Sequence, residues 1–87
     1  MYFVYILQSI KDNSYYIGYT KNIESRISEH NFGRTGYTSL KRPWMLKYKE
    51  EYNTEREAIK RERELKRYKN KKYLEYLINK ILQLKGP

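Results

Sequence analysis

Tyr2 to Leu7 is apolar at both odd and even positions and is rich in aromatic and β-branched residues, which predicts a strand covered on both faces and central in its sheet. Lys11-Asp12-Asn13-Ser14 is a turn cluster, and Tyr15 to Thr20 reads as a second strand, so the two form a hairpin. A loop of only Asp12-Asn13 sets Leu7 opposite Gly18, and any even loop keeps Tyr5 and Tyr16 on one face. Asn22 is a helix N-cap, Glu24 suits the first turn, and Ile23 and Ile27 repeat at i, i+4, predicting a helix to about Asn31 with Arg26 and His30 in a second row. Phe32 to Pro43 reads as a basic loop, because Gly33, Gly36, Ser39 and Pro43 interrupt any period. Trp44 to Tyr52 is a third strand, and Lys47, Lys49 and Glu50 point to a wet face or an edge.

Thr54 with Glu57 three residues on has the form of a capping box. The helix it opens carries Ala58, Ile59 and Leu65, and a carboxylate, Glu62, stands in that stripe. Asn70 breaks or bends the chain, after which Tyr73, Leu74, Leu77, Ile78, Ile81 and Leu82 define a terminal amphipathic helix. The pattern predicts an α+β fold: a small three-stranded antiparallel sheet, made of the N-terminal hairpin and a third strand, flanked by helices. With 87 residues and no internal repeat or linker, residues 1–87 are read as a single domain.

Charge adds direction to this picture. Nineteen Lys and Arg against ten Asp and Glu leave a net charge of +9, so the surface favours a polyanion. Eight basic and two acidic residues between Lys60 and Lys72 supply +6 of it, either as a solvated helix face or as a phosphate track. The chain has no cysteine and one histidine, which leaves a hard, oxygen-liganded ion as the only plausible kind of metal. No apolar run approaches a membrane span and the N-terminus lacks the features of a signal peptide, so a cytoplasmic location without membrane attachment is expected. A membrane-surface role for the C-terminal helix is disfavoured, because so small a core needs that helix's apolar face.

Tyr16-Ile17-Gly18, preceded by Phe3-Val4-Tyr5 and followed by Arg26, His30 and Glu62, resembles the GIY-YIG nuclease family, most closely its small stand-alone, YhbQ-like members. Tyr-Ile-Gly is intact, whereas Phe3-Val4-Tyr5 keeps only the tyrosine of the first triplet; the resemblance runs from about residue 2 to 78. It implies a metal-dependent endonuclease hydrolysing phosphodiester bonds of DNA, with a place in repair or recombination. Tyr5, Tyr16, Arg26, His30 and Glu62 would be catalytic. Glu62 would hold one divalent metal ion, Mg²⁺ with Mn²⁺ as a substitute, Arg26 would contact the scissile phosphate, and the tyrosines would position or deprotonate the water. Tyr19 stands where some members carry lysine.

The residues support this chemistry on their own terms. Phosphodiester hydrolysis requires charge neutralisation on the phosphoryl oxygens, an activated water and a stabilised leaving group. A lone carboxylate suits Mg²⁺, which keeps several waters and takes further oxygens from phosphate. The structural alternative pairs Glu62 with Lys66 at i, i+4. Tyr5 acts either as a base, which requires its pKa of ~10 to fall by ~3 units, or as a group that only orients a metal-bound water. Gly18 leaves space for a phosphate to approach, and Arg26 with His30 forms a two-cation clamp. Nucleic-acid contacts are assigned to Tyr19, Lys21, Arg34, Lys41, Arg42, Lys60, Arg61, Arg63, Lys66, Arg67, Lys69, Lys71 and Lys72, with DNA ahead of RNA. Without an appended reading domain, shape decides the substrate, so branched, flapped or damaged DNA or weakly specific cleavage is expected, and a protein partner supplying specificity stays open. The competing function is a nucleic-acid-binding module of the same fold with weak or absent catalysis.

Overall fold

The computed structural model describes residues 1–33, 36–68 and 70–85, with the side chains of 37, 68 and 81–85 outside that description. Strands β1 (Tyr2–Ser9), β2 (Tyr15–Thr20) and β3 (Trp44–Tyr52) form an antiparallel sheet in the order β2-β1-β3, so the strand that is apolar on both faces is the central one. The hairpin loop is longer than the two residues considered from the sequence. Ser9 N–H donates to the Ser14 carbonyl at 2.8 Å and Asn13 N–H to the Ser9 carbonyl at 2.9 Å, leaving Ile10 to Asn13 as the loop, with Asn13 at a φ of 64°. The register moves by two residues, so Tyr5 rather than Leu7 faces Gly18, and Leu7 faces Tyr16. Because four is also even, Tyr5 and Tyr16 still share a face.

Helices cover both sides of the sheet. On one side Val4, Ile6 and Ile17 pack with Ala58 and Leu65 of α3 (Glu55–Tyr68) and Leu74 and Leu77 of α4 (Lys71–Lys85). On the other, Tyr5, Leu7 and Trp44 pack with Tyr16, Leu46, and Ile23 and Ile27 of α1 (Ile23–Asn31). Strand β3 serves both faces. Its alternate residues from Trp44 to Tyr52 are all at least half-buried, but a bulge between the Leu7–Leu46 and Ile6–Tyr48 pairs inserts Lys47 and reverses the facing. Trp44 and Leu46 therefore point toward α1, and Tyr48, Glu50 and Tyr52 toward α3.

The caps match the sequence reading. Asn22 Oδ1 accepts from Ser25 N–H at 3.0 Å, Thr54 Oγ1 from Glu57 N–H at 3.2 Å, and Asn70 Oδ1 from Lys72 N–H at 3.0 Å. Asn70, read from the sequence as a break in the chain, caps the start of α4. The segment read as loop contains a four-residue helix, α2 (Gly36–Ser39), too short to produce a 3.6-residue period. Ser9 ties this segment to the hairpin: its buried hydroxyl donates to the Lys41 carbonyl at 2.6 Å and accepts from Lys11 and Asp12 N–H. No helix among the described residues is long and apolar enough to cross a membrane.

Candidate active site

Tyr5, Tyr16, Arg26 and His30 meet on the α1 face of the sheet. The Tyr16 ring lies 6.4 Å from that of Tyr5 and 4.8 Å from that of His30, and it also packs edge-on to Trp44. Gly18 makes this arrangement possible. A Cβ at Gly18 would lie 2.5 Å from the Tyr5 hydroxyl oxygen, 2.7 Å from its Cζ and 3.2 Å from Tyr16 Cε2. The Tyr5 ring therefore crosses flat over β2, carrying its hydroxyl from the central strand to the neighbouring one. The space expected for a phosphate is occupied by Tyr5 itself. Because Tyr5 is only 1% exposed and cannot swing away, Gly18→Ala is expected to destabilise the fold by about 1–3 kcal/mol. Urea unfolding measures this, and wild-type stability would mean that the ring has room to shift.

The Tyr5 hydroxyl lies 3.1 Å from His30 Nε2, and His30 Nδ1 lies 2.8 Å from Thr38 Oγ1 on α2. The Arg26 side chain stands beside the Tyr5 hydroxyl, and its charge opposes the upward shift of the Tyr5 pKa. A neighbouring cation favours the arrangement in which the Tyr5 oxygen turns its lone pairs toward Arg26 and its O–H donates to His30 Nε2. In that arrangement Nδ1 carries the imidazole proton and donates a hydrogen bond to Thr38 Oγ1. His30 is fully buried, and burial together with the Arg26 charge holds its pKa below the ordinary value. It is neutral at pH 7, so the expected two-cation clamp reduces to Arg26 alone.

Burial pushes the Tyr5 pKa up to about 12, against an opposing contribution from Arg26 and with small additions from Tyr16 and Glu62. Without a bound metal ion Tyr5 is therefore a neutral hydroxyl at pH 7, not a phenolate. Arg26 Nη1 reaches Glu29 at 3.5 Å, while its Nε, shielded from solvent, has no hydrogen-bond partner among the described residues. Thr38 and Asn31 escaped the sequence reading. Thr38 Oγ1 hydrogen-bonds His30 Nδ1 and its carbonyl accepts from Trp44 Nε1 at 2.8 Å; Asn31 clamps the Trp44 backbone N–H and C=O at 2.6 and 3.2 Å. The position of Asn31 directly after His30 is the only sequence cue for it.

Glu62 arrives from the other side of the sheet, on the flank of α3 toward β2. Its side chain is 16% exposed and lies 3.5 Å from Lys66 Nζ, so the i, i+4 pairing is realised. Its charge nevertheless reaches the hydroxyls of Tyr5 and Tyr19, raising the pKa of each. The larger causes of the raised Tyr19 pKa are desolvation and then Glu55, whose Oε2 accepts from the Tyr19 hydroxyl at 3.4 Å. Among the described residues no group of three or more acidic, histidine or cysteine side chains could hold a metal ion. The donor chemistry still fits a hard divalent ion that takes one carboxylate oxygen and completes its shell with water and phosphate.

The basic residues separate into distinct groups. Arg61 is withdrawn from any phosphate track: its Nε and Nη2 bond Glu50 at 2.9 and 3.1 Å, and Tyr48 and Tyr52 donate to the same carboxylate. Lys60, Arg63 and Arg67, with Arg56, point away from the sheet along the outer face of α3. Lys66 and Lys71 border a cleft beside β2. Lys41 pairs with Asp12 at 3.3 Å, Arg42 crosses Gly33, and Lys21 lies over the Tyr2 ring. Lys72 is exposed at the start of α4, whereas Arg34 and Lys69 lie outside the described residues.

Comparison with known proteins gives the family and the fold. Residues 1–74 match the family model described as the GIY-YIG catalytic domain. A UPF0213 protein of Staphylococcus saprophyticus is 43% identical over 77 residues, covering 87% of this chain and 93% of that protein. One of Staphylococcus aureus is 45% identical over 74 residues, covering 84% and 89%. The solution NMR structure of a UPF0213 protein from Bacillus halodurans superposes with a TM-score of 0.57 at 33% identity, covering 91% of this chain and 84% of that one. The chain therefore belongs to the GIY-YIG family, among its small single-domain UPF0213 proteins.

Proposed function

We propose that the protein is a metal-dependent endonuclease that hydrolyses phosphodiester bonds of DNA, selecting substrates by structure or with weak specificity, in repair or recombination. The observation that carries this reading is the convergence of Arg26, Tyr5 and His30 on one face of the sheet, with the Tyr5 hydroxyl 3.1 Å from His30 Nε2 and the Arg26 charge beside it. A phosphate drawn to the exposed part of the Arg26 guanidinium, whose side chain is 36% exposed, would sit beside the Tyr5 hydroxyl. A water attacking from there can pass a proton to the Tyr5 oxygen while Tyr5 passes its own to His30 Nε2. Neither step needs a phenolate at rest. Glu62 would hold the divalent ion, which supplies charge neutralisation at the phosphoryl oxygens and the leaving group. Tyr16 packs the ring of His30 in place. His30 and Thr38 act as one unit, because the Thr38 hydroxyl can accept from Nδ1 and so suits the tautomer that leaves Nε2 open to accept.

Incubating the protein with Mg²⁺ or Mn²⁺ and duplex, flapped, branched and single-stranded DNA, and with RNA, tests this directly. Metal-dependent cleavage of at least one DNA substrate is the expected result. Binding without a metal-dependent product on any of them would leave a nucleic-acid-binding module.

A further inference from the structure

We propose that the cleft on the outer edge of β2 is a subsite for an unpaired nucleotide of the substrate strand, adjacent to the scissile phosphate; this deepens the nuclease reading and rests on it. The cleft, about 740 Å³, opens between the hairpin turn and the junction of α3 and α4. That volume lies in the ~300–1,000 Å³ range of sites that enclose a small organic group.

Three observations point to this occupant. The first is continuity, since Tyr16 lines the cleft and packs 4.8 Å from His30, while Lys66 lines it and lies 3.5 Å from Glu62. A strand leaving the catalytic cluster along β2 enters the cleft at once. The second is charge. Lys66 and Lys71 come from different helices to the same opening, and the acid at its rim, Asp12, is already engaged by Ser14 and Lys41. The third is the wall chemistry: Tyr15 and Leu74 offer aromatic and apolar surface to a base, and edge strand β2 turns its unpaired backbone groups outward. A base in such a recess must leave the helical stack, so the site suits an unpaired strand. The outer face of α3, with Arg56, Lys60, Arg63 and Arg67, contrasts with it, because that furrow has cations but no aromatic surface.

Fluorescence anisotropy in metal-free buffer tests the subsite by comparing a single-stranded oligodeoxynucleotide with a blunt duplex of the same sequence. Lys71→Glu places an acid in the first turn of α4, where the helix dipole favours it, so folding is preserved. This substitution is expected to weaken single-strand binding about tenfold and duplex binding about threefold or less, and to reduce the single-strand salt slope by roughly 0.7 to 1.4. An oligonucleotide of roughly five residues should shift the amide resonances of Asp12 to Ile17 and of Lys71 to Leu74. Equal losses on both substrates, or shifts centred on Arg56, Lys60, Arg63 and Arg67, would overturn the subsite. Both readouts are equilibrium binding without metal, so a protein that cleaves nothing could still pass them, and an active nuclease could still fail them.

Discussion

Glu62→Gln is expected to lower metal-dependent cleavage by ~10³-fold or more while leaving the fold intact. The substitution keeps the shape of a side chain that is 16% exposed and removes only its charge. A divalent ion held by one carboxylate loses its sole protein ligand, and the several kcal/mol of transition-state stabilisation that the ion supplies correspond to about that factor. Stability should move little. Lys66 is 48% exposed, and pairs of this kind contribute ~0.2–1 kcal/mol, an amount offset by no longer holding a carboxylate in the apolar stripe. A second readout is independent of metal. Because the Glu62 charge raises the pKa values of Tyr5 and Tyr19, both hydroxyls should titrate at lower pH in the variant, which ultraviolet difference spectra report. Cleavage within about tenfold of wild type, with the same metal dependence, would remove Glu62 from the site.

The difference between Glu62 and Arg61 shows how far the sequence could be read. Both lie in the run from Lys60 to Lys72, and periodicity places Glu62 beside the buried Ala58 and Leu65, where its side chain is 16% exposed. Nothing in that period says that Arg61 leans the other way, onto Glu50 of β3, because the partner is contributed by a strand eleven residues earlier. Strand β3 teaches the same point. Its alternation from Trp44 to Tyr52 reads as one buried face, yet one inserted residue, Lys47, divides it between two cores. Local signals were legible where the physics is local: Asn22, Thr54 and Asn70 cap helices through bonds spanning two or three residues.

The site divides along the same line. Parity in the hairpin places Tyr5 and Tyr16 together whether the loop has two residues or the four it has. The role of Gly18 was not legible, because it depends on Tyr5 lying across the neighbouring strand rather than standing upright from its own. The protonation states were also out of reach. They follow from burial of Tyr5 and His30 and from Thr38, which belongs to a helix of four residues.

Tyr5→Phe separates the chemical role of the hydroxyl from its structural one. The ring keeps its place over Gly18, but His30 Nε2 loses its donor, so a stability cost of ~1–2 kcal/mol is expected near neutral pH. Cleavage should fall by ~10²–10⁴-fold, the usual contribution of a positioned proton-transfer group. The pH dependence of stability distinguishes the two chains further. In the wild type the Tyr5 pKa is raised from 10.0 to about 12, so its contribution is fully present below pH 10 and is lost as pH rises toward 12. The variant has no such group, so over that interval the wild type should lose about 2–3 kcal/mol relative to it, enough to cancel the disadvantage of the variant and reverse the order, as measured by chemical unfolding. On the acid side both chains keep His30, whose folded pKa lies below 6.5; each should lose stability as pH falls from 6.5 through that lower value. The wild-type cleavage rate should fall over the same acid range, because a protonated His30 cannot take the proton from Tyr5. A rate for Tyr5→Phe within about tenfold of wild type would leave Tyr5 a packing residue and return activation of the water to the metal alone.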